Sequence, residues 1–430
     1  MTRRLRSATA ALFCWLLLIS IPSCGVGAGP HDGSSREPAV RAVRLGRLID
    51  PASGAVIERA VVVVRGDRVA YVGDDASQIP AEAPVLDWGG YTGLPGLIDA
   101  HTHVTFVTDG APGTNPFERV DKLGASRALP LIHDCLQRML RLGVTTAIDK
   151  GSPTGLDLKA REAVRAGRVR GPRLVVAGPG VQTDDRSERG VRAEVRRLVA
   201  LGVDLIKVWA DECSDRRLSC QRSYSFEAMR ATVDEAHRLG KPVSIHAYHG
   251  EVAADAVRAG ADALEHAEGL DAATLDEMTR RGTTYVPTID HNRYYRENAP
   301  FFGFSGDDDR AFEAFLGQNL ATTSQALARG VAVAMGSDAV FTMCGENKRE
   351  LAWLVRAGMT PLQALKAATF EAARSVGRER ELGRVAPGYF ADLIAVEGDP
   401  LADIEVVIRN VRGVMQGGEP VDLRPPAAAR

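Results

Sequence analysis

The segment Asp99-Ala100-His101-Thr102-His103 closes an apolar run that begins at Leu94. On a strand, residues two apart share one face, so both imidazoles would grip the same cation. His246, His266 and Asp338 each end a further apolar run, and Lys207 sits within a fourth, between Ile206 and Val208. Imidazole and carboxylate together suit zinc and its first-row neighbours. A lone histidine at a strand end is more often a hydrogen-bonded structural residue than a ligand. Here four of the chain's 9 histidines stand at such ends, which favours a metal centre. Lys207 is costly to bury unless paired or chemically used. A lysine on a barrel strand is also what a Schiff-base lyase would use.

These residues need a scaffold that gathers strand ends. Strand-like runs recur at Gly96–His101, Val144–Asp149, Arg173–Ala177, Val203–Trp209, Pro242–His246, Ala261–His266, Thr283–Thr288 and Val331–Gly336. Amphipathic stretches lie between them, among them Leu131–Leu142, Val191–Leu201, Ser225–Leu239 and Ala272–Arg281. Gly143, Gly202, Gly240, Gly260, Gly282 and Gly330 each stand just before the next strand, as helix stop signals do. Eight strands alternating with helices predict an α/β fold, a (β/α)8 TIM barrel whose reactive groups sit at the C-terminal strand ends. Both flanks are rich in short strands: Val61–Val64 and Arg68–Gly73 around the hairpin signal Gly66-Asp67, then Ala391–Val396, Val406–Arg409 and Val411–Gln416. The predicted organisation is therefore a small β-sandwich domain from residues 39–93 and 383–425 around a barrel at 94–382.

The 430 residues exceed one small core, and a formal net charge of -2 offers no basic footprint for nucleic acid. Arg3, Arg4 and Arg6, an apolar run from Ala8 to Ile21 and the small residues up to Cys24 form a signal peptide over residues 1–24. At about fourteen residues the run is short for a transmembrane helix. Ile21-Pro22-Ser23-Cys24 resembles a bacterial lipobox, which would anchor the chain to a membrane through lipid on Cys24; plain cleavage nearby would leave a soluble exported protein. Removing residues 1–23 takes away three arginines and no acid, so the charge falls from -2 to -5. Residues 25–38, rich in Gly, Ser and Pro, read as a flexible tether. Export permits disulfides; Cys213 and Cys220 lie close in one polar loop and could pair, whereas Cys135 occupies an apolar helical position expected in the core.

The run Leu94-Pro-Gly-Leu-Ile-Asp-Ala-His-Thr-His103 resembles the opening signature of the amidohydrolase superfamily. Val203–Lys207, Ser244–Ala247, Leu264–Ala267 and Met335–Asp338 are similar to its later motifs in order, and Gly388–Leu393 with Gly398–Leu401 to its C-terminal strand hairpin. The likeness spans roughly residues 40–420 and is nearest the branch of imidazolonepropionase-like proteins and metal-dependent prolidase-type dipeptidases. It implies two divalent metals, most simply zinc: His101, His103 and Asp338 on one, His246 and His266 on the other, with Lys207 bridging both as a carbamate. It further implies hydrolysis of an amide by an activated water, with Asp338 as the proton shuttle.

The implied substrates are small amides, dipeptides or N-acyl amino acids. Cyclic-amide hydrolysis or deamination with one metal is the alternative, and a Schiff-base lyase or a non-catalytic binding protein are rivals from other classes. Candidate substrate contacts are His249, beyond the fifth strand; Arg293, Tyr294 and Tyr295, in a loop with Asp290 and His291; and Arg222 with Tyr224. Glu265 precedes His266 and is expected to point the other way and support structure. The loop Gly178–Gly190 lacks a Gly-Gly-His segment that many relatives carry, and Cys344-Gly345-Glu346-Asn347 stands where many carry His-Gly. Both loops would border the mouth. Whether the chain acts alone or as a homo-oligomer is not encoded in these motifs.

Overall fold

Strand order in the central region follows the alternation of apolar runs and amphipathic helices. The computed structural model describes residues 39–109, 120, 122–213, 220–304 and 306–424. The expected signal peptide, tether and lipobox lie outside them. Among the described residues, no helix is long and apolar enough to cross a membrane.

The flanking segments make one eight-stranded sheet. Its core strands are β1 (Val40–Asp50), β2 (Ala55–Glu58), β3 (Val61–Arg65), β4 (Arg68–Gly73) and β5 (Val85–Pro95). The hairpin read at Gly66-Asp67 joins β3 to β4, with Arg65 opposite Arg68. β5 runs parallel to β1 on one side. On its other side it pairs antiparallel with the C-terminal strand Leu393–Val396, Leu393 facing Pro95. Val411–Gln416 adds next to that strand. Val406–Arg409, expected as strand, lies instead in the short helix Glu405–Arg409. Val62, Val64, Trp88, Leu393 and Met415 share the core of this sheet.

β5 leads through Gly96 into β6 (Leu97–Thr102), the first strand of the barrel. β7 (Val144–Asp149) and β8 (Arg173–Val176) extend a parallel arc from it. A second parallel arc contains β9 (Ile206–Trp209), β12 (Val243–Ala247), β13 (Ala263–His266) and β14 (Thr284–Val286); β10 (Asp211–Cys213) and β11 (Cys220–Arg222) form a hairpin outside it. Single backbone bonds close the ring between the arcs. Asp204 N–H donates to Val176 O at 2.8 Å, Tyr285 N–H to Ala332 O at 2.8 Å, and Ala100 N–H to Met335 O at 2.8 Å. The expected eighth strand, Val331–Gly336, is thus present as a ring segment held by isolated bonds and bridges, not as a full ladder.

The helices pack their apolar faces on these strands. Helix α1 (Ala125–Arg141) buries Ile132, Cys135, Leu136, Met139 and Leu140. Ser225 caps the helix Phe226–Arg238 by accepting from Ala228 N–H, and the helix Ala272–Arg281 ends at Gly282 with φ 77°. All six glycines read as stop signals have positive φ. The segment after β14, expected as a loop, is the helix Asp290–Glu297.

Candidate active site

Pleat alternation on β6 places His101 and His103 on one face, with their Nε2 atoms 3.3 Å apart. Asp338 Oδ1 lies 3.4 Å from each. The Nδ1 of His103 meets Gly151 O at 2.9 Å, which leaves its Nε2 for the cluster. Beneath them Asp99, fully buried, ties the first strand to the eighth. It accepts from His101 N–H at 3.1 Å, Ser337 N–H at 3.0 Å, Ser337 Oγ at 2.5 Å and Asn347 Nδ2 at 2.8 Å. Burial raises its carboxyl to about 6 despite these donors. Gly336 allows the close approach, since a Cβ there would lie 2.8 Å from His101 Cβ and 2.4 Å from Val286 Cγ1.

His266 and His246 complete a ring of imidazoles. Ring centroids are 4.9 Å apart for His101–His266 and 4.6 Å for His246–His266. His266 Nδ1 meets Thr288 Oγ1 at 2.7 Å. His246 Nε2 stands 3.4 Å from Asp211 Oδ1. Three strand-end residues, His266 (φ 67°), Thr288 (φ 52°) and Asp338 (φ 50°), adopt the left-handed conformation that non-glycine residues rarely hold, a strain concentrated at the barrel mouth.

That conformation corrects one expectation. Glu265 does not point away: its buried carboxylate contacts Lys207 Nζ and Ser244 Oγ, and its Oε1 lies 3.6 Å from His101 Nδ1. The positive φ at His266 breaks the two-residue alternation, so neighbouring side chains both serve the interior. Lys150 was also missed. It stands one residue beyond β7, fully buried, 2.8 Å from Ser244 Oγ and 3.2 Å from Glu265 Oε1. The strand before it, Val144–Asp149, is buried along its whole length although three of its residues are polar, so the sequence carried little signal for Lys150. His291, named from sequence only as a member of the loop with Arg293, contacts Asp338 Oδ2 through its Nδ1, and Asp211, not singled out from sequence, meets His246.

The electrostatics favour neutral ligands. Burial lowers His101 well below the usual histidine range, aided by the nearby lysines, and burial lowers His103 and His246 as well. Neutral imidazole is the metal-binding form. Burial, then the Lys150 charge, holds Lys207 well below an ordinary lysine, and burial brings Lys150 to about 7. Donor atoms gather in three overlapping groups: His101, His103 and Asp338; His101, Glu265 and His266; and His266, His291 and Asp338. His101 Nδ1 is buried without a hydrogen-bond partner among the described residues. A contiguous, buried set of nitrogen and carboxylate donors of this kind fits divalent metal.

The expected substrate contacts fare differently. Arg293 is committed to carboxylates of the chain itself, Asp290 (2.7 Å), Glu346 (3.0 Å) and Glu297. Two of these acids lie on its own helix, Asp290–Glu297, and Glu346 reaches it from a later segment. Arg222 pairs with Asp255 at 2.7 Å. Tyr224 is buried with its hydroxyl on Val181 O at 3.0 Å, and Tyr294 bonds Thr342 Oγ1 at 2.8 Å. Of the three tyrosines expected to contact substrate, Tyr295 faces the cluster, edge-on to His291 at 4.8 Å. His249 is exposed at the start of the helix Gly250–Ala259, and its N–H donates to Asp211 Oδ2 at 3.1 Å. Phe106 lies 4.9 Å from the His103 ring, and Tyr248 stacks 5.0 Å from His266.

Two features concern cysteine. Cys135, expected only as a core residue, is bonded to Cys344, with Cα atoms 5.5 Å apart. The hairpin places Cys213 opposite Cys220, and Cys220 is disulfide-bonded. The Cys213 side chain, and with it the expected Cys213–Cys220 pairing, lies outside the described residues.

A (β/α)8 scaffold with histidines, a lysine and an aspartate gathered at its strand ends defines a barrel hydrolase. The sequence profile of the Amidohydrolase family matches residues 92–421, and the chain belongs to that family. It is 29% identical to an ochratoxinase of Aspergillus niger over 436 aligned residues, covering 90% of this chain and 87% of the relative. It is 28% identical to an imidazolonepropionase of Cereibacter sphaeroides, covering 81% and 91%. Among solved structures, a Xaa-Pro dipeptidase with methionine bound in its active site superposes with a TM-score of 0.78 and 28% identity, covering 89% of this chain and 99% of that one. The chain is accordingly a hydrolase of carbon–nitrogen bonds.

Proposed function

We propose that this enzyme hydrolyses the amide bond of small substrates, dipeptides or N-acyl amino acids, at a centre of two divalent metals, zinc the first choice. The observation that carries the reading is the single connected donor cluster of His101, His103, His266 and Asp338, with Lys207 fully buried against it. His101, His103 and Asp338 would hold one ion, His246 and His266 the other, and Lys207, carboxylated, would bridge them. Bound divalent metals polarise an amide carbonyl and acidify water. Asp338 takes the proton from the attacking water on a carboxylate oxygen and returns it to the leaving nitrogen. His291, against Oδ2, orients that carboxylate. Phe106, Tyr248 and Tyr295 flank the cluster and exclude water around an apolar substrate. Similarity to a dipeptidase and to an ochratoxinase supports the substrate class.

One contact favours a second reading. Lys207 faces the Glu265 carboxylate, an arrangement suited to an uncarboxylated ammonium and a single metal. Elemental analysis of purified protein, with intact mass of Lys207-containing peptides under conditions that retain carbon dioxide, separates the two. About two metals per chain and a carboxylated Lys207 support the binuclear enzyme; one metal and free lysine direct the search to cyclic amides and deaminase substrates. Export is part of the proposal, supported by the basic-apolar N-terminus and the Cys135–Cys344 bond. Fractionation with labelled fatty acid tests the anchor at Cys24: label that disappears in Cys24→Ala supports it, and unlabelled wild-type protein refutes it.

A further inference from the structure

A pocket of about 460 Å³ opens between the segment Gly345–Arg356 and the helix Glu405–Arg409. None of the residues discussed as metal ligands lines it. Its walls carry four cations, Lys348, Arg349, Arg356 and Arg409, against two acids, Glu346 and Glu405. Two of the cations are neutralised. Arg409 bonds Glu405 at 2.8 Å, and Arg349 lies 3.7 Å from both Asp290 and Glu346. Two are not. Arg356 has no carboxylate within ion-pair distance among the described residues, and its guanidinium lies 5.1 Å from the Trp353 ring centroid. Lys348 is only 4% exposed, and its ammonium has neither hydrogen-bond nor ion-pair partner among the described residues.

A buried ammonium without a counter-charge is strongly disfavoured, and proteins that retain one pair it or use it. Lys348 comes near to breaking that rule: its side chain is enclosed and lines the pocket, and no carboxylate balances it among the described residues. Its neighbours inside the barrel obey it: Asn347 bonds Asp99, and Glu350 accepts from the Ile289 and Asp290 N–H groups. An oxyanion in the pocket would supply the missing charge, and the indole of Trp353 with Ile408 would take an apolar or aromatic body. We propose that this pocket is a binding site for a small organic anion, a carboxylate or phosphate ester, held by Lys348 and Arg356 and packed against Trp353. The site is separate from the hydrolytic centre and does not depend on how that centre works. Burial lowers Lys348 to about 8, which leaves it charged at neutral pH and ready to pair.

The test is fluorine NMR on metal-loaded enzyme labelled with 5-fluorotryptophan, the Trp353 resonance being assigned through Trp353→Phe. Inorganic phosphate and phenyl phosphate are titrated at constant ionic strength. Trp209, whose ring lies 5.7 Å from Lys207 Nζ, reports separately on anions that reach the metal site. The Trp353 signal is expected to shift saturably with at least one probe at about 1 mM or below. Lys348→Met and Arg356→Gln should each weaken that binding about tenfold, equivalent to about 1.4 kcal/mol. Saturation by phosphate alone means that the oxyanion suffices; saturation by phenyl phosphate only means that the ring on Trp353 is required. A Trp353 signal indifferent to both probes, or variants that titrate like the wild type, overturns the proposal. Arg356 is exposed, so its variant remains informative if Lys348→Met folds poorly.

Discussion

Replacing Cys135 and Cys344 together by alanine removes a cross-link whose ends are 209 residues apart in sequence. Closing so long a loop restricts the unfolded chain, and the chain-entropy relation assigns it about 5 kcal/mol. Truncating two buried side chains adds a smaller packing loss of about 1 kcal/mol each. The two contributions separate if wild type and double variant are unfolded in urea under oxidising and then reducing conditions. In oxidising buffer the wild type should be more stable by about 5 kcal/mol or more. In reducing buffer only the packing loss should remain, because both chains then lack the link. The Cys220 bond is reduced equally in both and cancels. The same comparison reads the site, because Cys344 anchors the segment whose Asn347 donates to Asp99. Metal should therefore leave the double variant at lower urea than it leaves oxidised wild type. Equal stabilities in oxidising buffer, or a gap that persists unchanged after reduction, would refute the reasoning.

Other perturbations isolate single contacts. Asp338→Asn should retain most of the fold by circular dichroism and lose about 10²–10⁴ in turnover; near-normal turnover would remove Asp338 from proton transfer. Gly336→Ala pushes a methyl toward His101 and Val286, so melting should show a loss of about 1–3 kcal/mol together with weaker metal retention. Lys348 titrates near 8 in the fold against 10.5 as an ordinary lysine, so the fold disfavours its charged form. Its penalty is fully present below about pH 8 and is relieved as pH rises toward 10.5, a gain of about 3 kcal/mol. Lys348→Met should accordingly be more stable than wild type in urea at pH 7 without added anion, with the advantage shrinking by pH 10; a pH-independent difference would contradict the shift.

What could be read in the chain were the features written locally. Strand ends announced themselves through apolar runs closing on His101, His246, His266 and Asp338, and helix ends through their glycines. The ion pairs of Arg293 could not be read, because Asp290 meets it only once the segment after β14 has become a helix and Glu346 comes from a distant part of the chain. Glu265 failed for a subtler reason: alternation predicts side-chain direction only while the backbone stays extended, and His266 leaves that region. Lys150 was hidden because the strand before it, with Thr145, Thr146 and Asp149, does not read as an apolar run, and its six buried residues show only in the fold. The partnership of Cys135 with Cys344 is a matter of tertiary proximity, for which nothing near either residue speaks.

The sheet built from both flanks has a consequence for how the chain comes off the ribosome. β5 needs β1 on one side and the strand Leu393–Val396 on the other, and the latter is synthesised about 300 residues after Pro95. At roughly 5–20 residues per second, one edge of β5 waits about 15–60 s without its partner. Such an edge is a template for unwanted pairing. The strand that carries His101 continues directly from that edge, so the first half of the metal site emerges early while its support is still half a minute away.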